Sequence, residues 1–161
     1  MALPFSLPEN YKVVPLGFTA ANAVDCDIIS CKNAHKVWFL IYHNGSSDTD
    51  LTLSLVEAKS VAGSTTNAVT AVFPVWYNQT ATTAGDTLTK VGTDSNSYVV
   101  NVGEGGAAQF VIIEWDPSKH SVDYDCIKVG DSGGNASNNV SITAIVETRY
   151  PQANPPSVIV D

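Results

Sequence analysis

Apolar and polar side chains alternate, with one exception, along the stretch Val140-Ser-Ile-Thr-Ala-Ile-Val146. Because successive side chains of a β-strand point to opposite faces of the sheet, this period of two predicts a strand with one buried face. The stretch Leu51-Thr-Leu-Ser-Leu-Val-Glu-Ala58 alternates in the same way. We expect further strands at residues 24–29, 97–102 and 107–115.

The segment Lys36-Val-Trp-Phe-Leu-Ile-Tyr-His43 is apolar at nearly every position rather than at every second one. A strand that is apolar on both faces lies in the middle of a sandwich or against a partner chain, and in either case we expect it to be central in its sheet. The residues that follow it, 44–50, are typical turn formers. They predict that residues 51–58 fold back onto this segment as a hairpin with a longer loop.

Stretches rich in Gly, Ser, Thr and Asn separate these segments, at residues 63–67, 80–85, 103–106 and 130–135. Such stretches form loops, and the sequence predicts no amphipathic helix of three turns. One helical turn is predicted at Asp116-Pro-Ser-Lys119, because an acidic cap followed by proline favours a helix start. With room for roughly eight to ten strands, the chain is predicted to be all-β, an antiparallel β-sandwich of jelly-roll or immunoglobulin-like type.

The two ends of the chain differ from its middle. Residues 1–9 and 151–161 are apolar but contain too much proline for a central strand. We therefore predict one β-sandwich domain, residues 10–150, with extended N- and C-terminal arms. The arms either fray or lie on their own domain, or they dock on neighbouring subunits, with residues 158–160 adding an edge strand. In the docking case the contact residues are Leu3, Phe5, Leu7, Pro155, Pro156, Val158, Ile159 and Val160.

The charge balance limits the classes of partner. Eight Lys and Arg stand against 16 Asp and Glu among 161 residues, a formal net charge of −8, which disfavours nucleic acid and anionic membranes. Only 15% of the residues are charged and 44% are hydrophobic, so we expect a folded chain with an unusually uncharged surface. Residues 1–8 lack a basic residue, unlike a secretory signal, and the apolar runs are too short for a transmembrane helix.

Three cysteines are present, Cys26, Cys31 and Cys126, and they cannot all pair within one chain. No second short-spaced Cys or His pair completes a zinc site around the first two. We expect buried or half-buried thiols, ahead of a single disulfide or a zinc site. No cofactor and no resident metal ion are predicted.

The pentapeptide Gly130-Asp-Ser-Gly-Gly134 resembles the nucleophile loop of trypsin-like serine proteases. The resemblance implies Ser132 as nucleophile, with a histidine and an aspartate from elsewhere in the chain. However, Asn135 stands where that family usually has proline, and Ala34-His35-Lys36 is only faintly similar to its histidine motif. Those proteases need two β-barrels, whereas this chain is long enough for one domain. We therefore expect a surface turn at Ser132 and no enzymatic activity.

Acidic pairs occur at Asp25 and Asp27, at Asp48 and Asp50, and at Asp123 and Asp125. Two carboxylates two residues apart can share a calcium ion, but none of these pairs has a full ligand set, so solvated carboxylates are expected. The three histidines, His35, His43 and His120, show no spacing that suggests a metal site or an acid–base pair.

Five aromatic residues offer a platform on which sugars could stack: Trp38, Tyr42, Trp76, Tyr77 and Trp115. Trp38 and Trp76 fall within apolar strand segments, so packing in the core or at an interface is the favoured interpretation for them.

The order of strands and turns resembles the small β-sandwich decoration, or cement, proteins of tailed-bacteriophage heads. The segments that carry the resemblance are Tyr11–Leu16, Val24–Ile29, Lys36–Ile41, Leu51–Ala58, Val111–Pro117 and Glu147–Tyr150. The resemblance implies a virion structural protein that binds the major capsid protein on the outside of the head and stabilises capsomer contacts. It also implies a homo-oligomer, with a trimer among the options, that assembles in the host cytoplasm. The alternative function is a carbohydrate- or receptor-binding module of a virion tail or spike.

Overall fold

Two antiparallel β-sheets face each other in the computed structural model, which describes residues 6–45, 49–79, 87–101 and 108–150. A short helix α1 (Leu7–Asn10) precedes the first strand, and a 3-10 helix (Pro117–Lys119) follows the ninth. In chain order the strands are β1 (Lys12–Ala20), β2 (Ile29–Ser30), β3 (Ala34–Asn44), β4 (Leu51–Ala58), β5 (Thr66–Ala68), β6 (Val75–Asn78), β7 (Thr89–Lys90), β8 (Ser97–Val100), β9 (Gln109–Trp115), β10 (Cys126–Gly133) and β11 (Asn139–Thr148).

The first sheet has the spatial order β1-β11-β3-β9-β6-β7, and the second has the order β2-β10-β4-β5. Strand β8 belongs to the second sheet as well, because it pairs with β4 along the part of the edge that β5 leaves open. The predicted all-β antiparallel sandwich is thus confirmed.

The strand pairs are nested: β1 pairs with β11, β2 with β10, β3 with β9 and β4 with β8. This is the arrangement of a jelly roll, in which one long antiparallel hairpin is folded into two sheets. The topology therefore selects the jelly roll from the two sandwich types that the sequence left open. Strands β5, β6 and β7 are an insertion between the fourth and fifth strands of this nested set, and two of them widen the first sheet.

Strand β3 is central, as predicted, with β11 on one side and β9 on the other. The predicted hairpin between β3 and β4 is wrong, because the two strands lie in opposite sheets. The physical reason is that alternation shows only that one face of a strand is buried. It does not distinguish a strand that pairs with β3 in the same sheet from one that packs against β3 across the sandwich. The connection between β3 and β4 is long enough to cross the spacing of about 10 Å between packed sheets.

Smaller differences from the sequence prediction lie at strand ends. Residues 24–28 are outside any strand, and only Ile29–Ser30 pairs with β10. Residues 130–133, predicted as loop, continue β10 and pair with β4. The predicted helical turn is confirmed: Asp116 caps it by accepting a hydrogen bond of 2.9 Å from the backbone N–H of Ser118.

The core lies between the sheets and is made by the inward side of each strand. In β3 these residues are Val37, Phe39 and Ile41, and in β4 they are Leu51, Leu53 and Leu55, all fully buried. Burial of each such side chain stabilises the fold by roughly 1.5–3 kcal/mol before the entropy cost of ordering it. Because β3 buries every second residue only, its remaining apolar side chains face outward.

Candidate protein-binding surface

Of the predicted arm contacts, only Leu7 falls among the described residues. It begins helix α1, so this part of the arm is helical rather than extended, and its side chain is 39% exposed. Proline at the start of the helix favours this local structure, because its fixed φ suits the first turn. The other contacts lie outside the described residues: Leu3, Phe5, Pro155, Pro156, Val158, Ile159 and Val160.

The outward side of the first sheet is rich in aromatic and aliphatic side chains, and we call it the aromatic face. Its apolar members are half-buried or exposed, and Phe18 at the sheet edge is the most exposed of them at 71%. They are Val13, Phe18, Trp38, Leu40, Tyr42, Trp76, Phe110, Ile112 and Ile145.

Strand register places these side chains in rows across the sheet. One row runs from Val13 through Ile145 to Trp38. In the next, Leu40 and Ile112 are direct partners, and Ile112 in turn pairs with Trp76. Polar members interrupt the rows at β11, where Ser141 and Thr143 point outward. Because side chains directly opposite one another on neighbouring strands are close enough to interact, the outward apolar residues of β3, β9 and β6 adjoin one another.

The outward side of the second sheet has a different composition. It consists of small and polar residues, with two valines among them: Thr52, Ser54, Val56, Ser97, Val99, Lys128, Gly130 and Ser132. An antiparallel sheet that faces water on one side is expected to look like this. The aromatic face departs from that expectation, which marks it as the surface that is suited to contact another molecule.

Trp38 is held in place by three neighbours. Its indole Nε1 donates a hydrogen bond of 3.2 Å to Oε2 of Glu114, and the other oxygen of that carboxylate accepts a 2.6 Å hydrogen bond from Lys36 Nζ. The hydrogen bond to Glu114 raises the pKa of Lys36. Tyr11 packs edge-on against the indole, with ring centroids 6.0 Å apart. An aromatic side chain fixed in this way loses little conformational entropy when a partner binds it.

The five aromatic residues of the sequence-predicted platform separate into two groups. Trp115 is fully buried in the core, and Tyr77 packs against the core from the inner side of β6. Trp38, Tyr42 and Trp76 lie on the aromatic face. Of the two kinds of packing predicted for Trp38 and Trp76, the core is wrong, because the inward positions of their strands are taken by the neighbouring residues, and packing at an interface stays a prediction.

Ser132 of the protease-like pentapeptide is exposed at the end of β10, where it pairs with Thr52. Ser132 is distant from His120, which contacts Glu57 near the other end of β4. Glu57 lies five residues from Thr52 along that strand, which is roughly 17 Å. The two glycines that follow Ser132 have left-handed backbones, with φ of 78° at Gly133 and 77° at Gly134. Glycine adopts such a backbone without steric cost, so the turn accounts for both of these glycines.

A buried polar cluster lies at the other end of β4. Oε2 of Glu57 accepts a hydrogen bond of 2.9 Å from the backbone N–H of Ser121, and Oε1 accepts one of 3.0 Å from Asn67 Nδ2. His120 Nδ1 lies 3.5 Å from Glu57 Oε2, and Trp115 Nε1 donates to His120 Nε2 at 3.3 Å. Burial alone would raise the pKa of Glu57, but the hydrogen bonds outweigh it and hold the pKa below its usual value. Sequence reasoning missed this cluster, because its members are distant in sequence and no spacing motif links them.

The three cysteines are buried and unpaired, in agreement with the prediction. Burial raises the pKa of Cys26 to about 11 and that of Cys126 to about 12, and it raises the pKa of Cys31 further. These thiols are therefore protonated at neutral pH and are poor nucleophiles.

Two of the acidic residues considered as calcium ligands pair with lysines instead. Asp125 lies 3.4 Å from Lys32, and Asp123 lies 4.0 Å from Lys59. Within the part of the chain that the structure describes, no group of three or more His, Cys, Asp or Glu could hold a metal ion. No helix in residues 6–45, 49–79, 87–101 or 108–150 is long and apolar enough to cross a membrane.

The chain matches no family model, no curated protein sequence and no solved structure.

Proposed function

We propose that the protein is a virion structural protein that binds the outside of a bacteriophage head and stabilises capsomer contacts. In this proposal its partner is the major capsid protein, and its docking surface is the aromatic face together with the terminal arms. The protein is an oligomer on the head and assembles there in the host cytoplasm.

The observation that carries the proposal is the contrast between the two outward sheet surfaces. One is small and polar, as a solvated sheet face should be, while the other carries four aromatic rings and two aliphatic side chains on strands β3, β6 and β9. Protein interfaces are enriched in Trp, Tyr and Phe, whereas charged residues are depleted at their centres. The charged groups Lys36 and Glu114 lie at one end of the face, where an interface would have its polar rim.

Two further properties agree with this function. By analogy of fold, jelly-roll sandwiches occur in viral capsid and lectin domains. The net charge of −8 suits a position on the outer surface of the head, away from the packaged DNA.

The test is cosedimentation of the purified protein with undecorated heads assembled from the major capsid protein of its phage. Light scattering first establishes the oligomeric state of the free protein. Saturable binding at a constant number of copies per capsomer supports the proposal, and the absence of saturable binding refutes it.

Surface variants then test the docking face itself. Phe18→Glu and Leu40→Glu place a carboxylate on the aromatic face and are expected to weaken binding at least tenfold. Val99→Glu is the matched control, since it makes the same kind of change on the outward side of the second sheet, where Val99 is 48% exposed. Equal effects of the three changes would contradict docking through the aromatic face.

A second candidate function is binding of a glycan receptor, as in a tail or spike module. It is favoured by the same aromatic face, because the outward indoles of Trp38 and Trp76 could stack on sugar rings. Retention on a glycan surface that is lost in Trp76→Ala, together with no binding to heads, would establish this alternative.

A further inference from the structure

His120 lies between two buried side chains from different sheets. On one side is Glu57 of β4, which is in the second sheet, and on the other is Trp115 of β9, which is in the first. Its ring packs edge-on against the indole, with centroids 5.3 Å apart. The imidazole is 6% exposed and the Glu57 carboxylate 2% exposed, so the pair is not an accessible acid–base site.

The hydrogen bonds determine which nitrogen carries the proton. The indole Nε1 of Trp115 can only donate, so His120 Nε2 must accept and therefore be unprotonated. The imidazole is then neutral, with its single proton on Nδ1, the nitrogen that faces Glu57. Burial lowers the pKa of His120, and the nearby carboxylates of Glu57 and Asp125 oppose that change only in part.

We propose that His120 is an acid-sensitive latch that holds the segment between β9 and β10 against the buried end of β9. Protonation of Nε2 turns the acceptor into a donor, so that two N–H groups face each other across 3.3 Å and the contact to Trp115 opens.

The opening is local. Glu57 keeps its hydrogen bonds from Ser121 and Asn67, and Lys119 still donates to the backbone oxygen of Val72 at 2.8 Å. The charged groups that act on the ring, Glu57 and Asp125, are both carboxylates and favour the imidazolium once it forms. Acid therefore exchanges the bond to Trp115 for a stronger interaction with Glu57 and leaves the two sheets folded.

The experiment follows the indole N–H signals by NMR between pH 7.5 and pH 5.0. Trp38→Phe and Trp76→Phe, both on the aromatic face, identify the Trp115 signal by elimination. We expect hydrogen-exchange protection of the Trp115 indole at pH 5.0 to be at least tenfold lower in the wild type than in His120→Gln. Glutamine can accept from the indole through its side-chain oxygen but does not titrate. His35→Gln, which removes an exposed histidine, is the matched control and should behave as the wild type.

Equal protection of the Trp115 indole in wild type and His120→Gln at pH 5.0 would overturn the latch. If His120→Gln does not fold, the ¹⁵N chemical shifts of His120 in the wild type still decide. An unprotonated Nε2 at pH 7.5 that becomes protonated together with the loss of the Trp115 bond supports the proposal. A protonated Nε2 at pH 7.5, or retention of the bond after protonation, refutes it.

Discussion

Trp38 of β3 and Glu114 of β9 are direct partners in the strand register, and the indole N–H donates to the carboxylate at 3.2 Å. The same carboxylate binds Lys36, so a single side chain orients both a cation and an aromatic ring at one end of the aromatic face. The ammonium of Lys36 also lies 5.9 Å from the centre of the indole. This end of the proposed docking surface is therefore ordered before any partner arrives.

Glu114→Ala is expected to weaken binding to heads about tenfold while changing the free energy of unfolding by less than about 1 kcal/mol. The stability effect is small because the ion pair with Lys36 is partly exposed, whereas binding suffers because Trp38 is no longer oriented. Cosedimentation and urea unfolding measure the two quantities. Asp123→Asn removes an exposed carboxylate that lies 4.0 Å from Lys59, outside the aromatic face, and serves as the control, with binding unchanged.

Deletion of residues 1–9 or of residues 151–161 is expected to leave the sandwich folded but to weaken its association with the head. Every strand of the described sheets lies within residues 12–148, and the deletion at the N-terminus removes most of helix α1, whose residues are not buried. Circular dichroism checks the fold and cosedimentation checks binding. Truncated chains that bind as well as the intact chain would show that the arms are not contacts.

Stability is expected to fall below about pH 6.5 because of His43. Its side chain is fully buried opposite Gln109, and among the described residues neither ring nitrogen has a hydrogen-bond partner. Burial lowers the pKa of His43, so the unfolded state binds the proton more tightly. The contribution of the neutral, buried His43 to the free energy of unfolding is complete above the unfolded-state pKa of about 6.5. It is lost as the pH falls below that value, by up to about 1.4 kcal/mol per pH unit.

His43→Leu should remove part of this pH dependence and should be neutral or stabilising at pH 7.5, because it replaces an unpaired polar group by an apolar one. Urea unfolding at pH 7.5 and pH 5.0 is the measurement. His120 acts in the same direction, so the double variant with His120→Gln should have a flatter profile than either single variant. If the free energy of unfolding falls as much between pH 7.5 and pH 5.0 in His43→Leu as in the wild type, His43 is not the cause of the pH dependence.

Gly134→Ala is expected to destabilise the protein by about 3 kcal/mol or more, as judged by thermal or urea unfolding. The residue has a φ of 77°, and an added Cβ would overlap the backbone carbonyl of Ala21. Gly92→Ala is the matched control, since a Cβ there meets nothing within 4 Å, and it should change stability by less than about 1 kcal/mol. A mild effect of Gly134→Ala would show that the turn after β10 adapts easily.

Some features could be predicted from local sequence, because the alternation of apolar and polar side chains along a strand depends only on the residues of that strand. The strand at Leu51–Ala58, the central position of β3, the cap at Asp116 and the burial of the cysteines all follow from short-range patterns. The Glu57–His120–Trp115 cluster could not be predicted, because it joins residues from two sheets that no spacing relates.

The sequence by itself determined that the chain alternates as β-strands and that most of these strands bury one face, since side-chain polarity and the two-residue period are local properties. Only the tertiary structure decided that β3 and β4 lie in opposite sheets and that the strands nest as a jelly roll. It also decided which residues of the doubly apolar β3 form the core and which, such as Trp38, form the aromatic face. Which strands pair, and which side of each strand faces the core, depends on contacts between segments distant in the chain. An apolar residue favours burial without specifying which partner buries it.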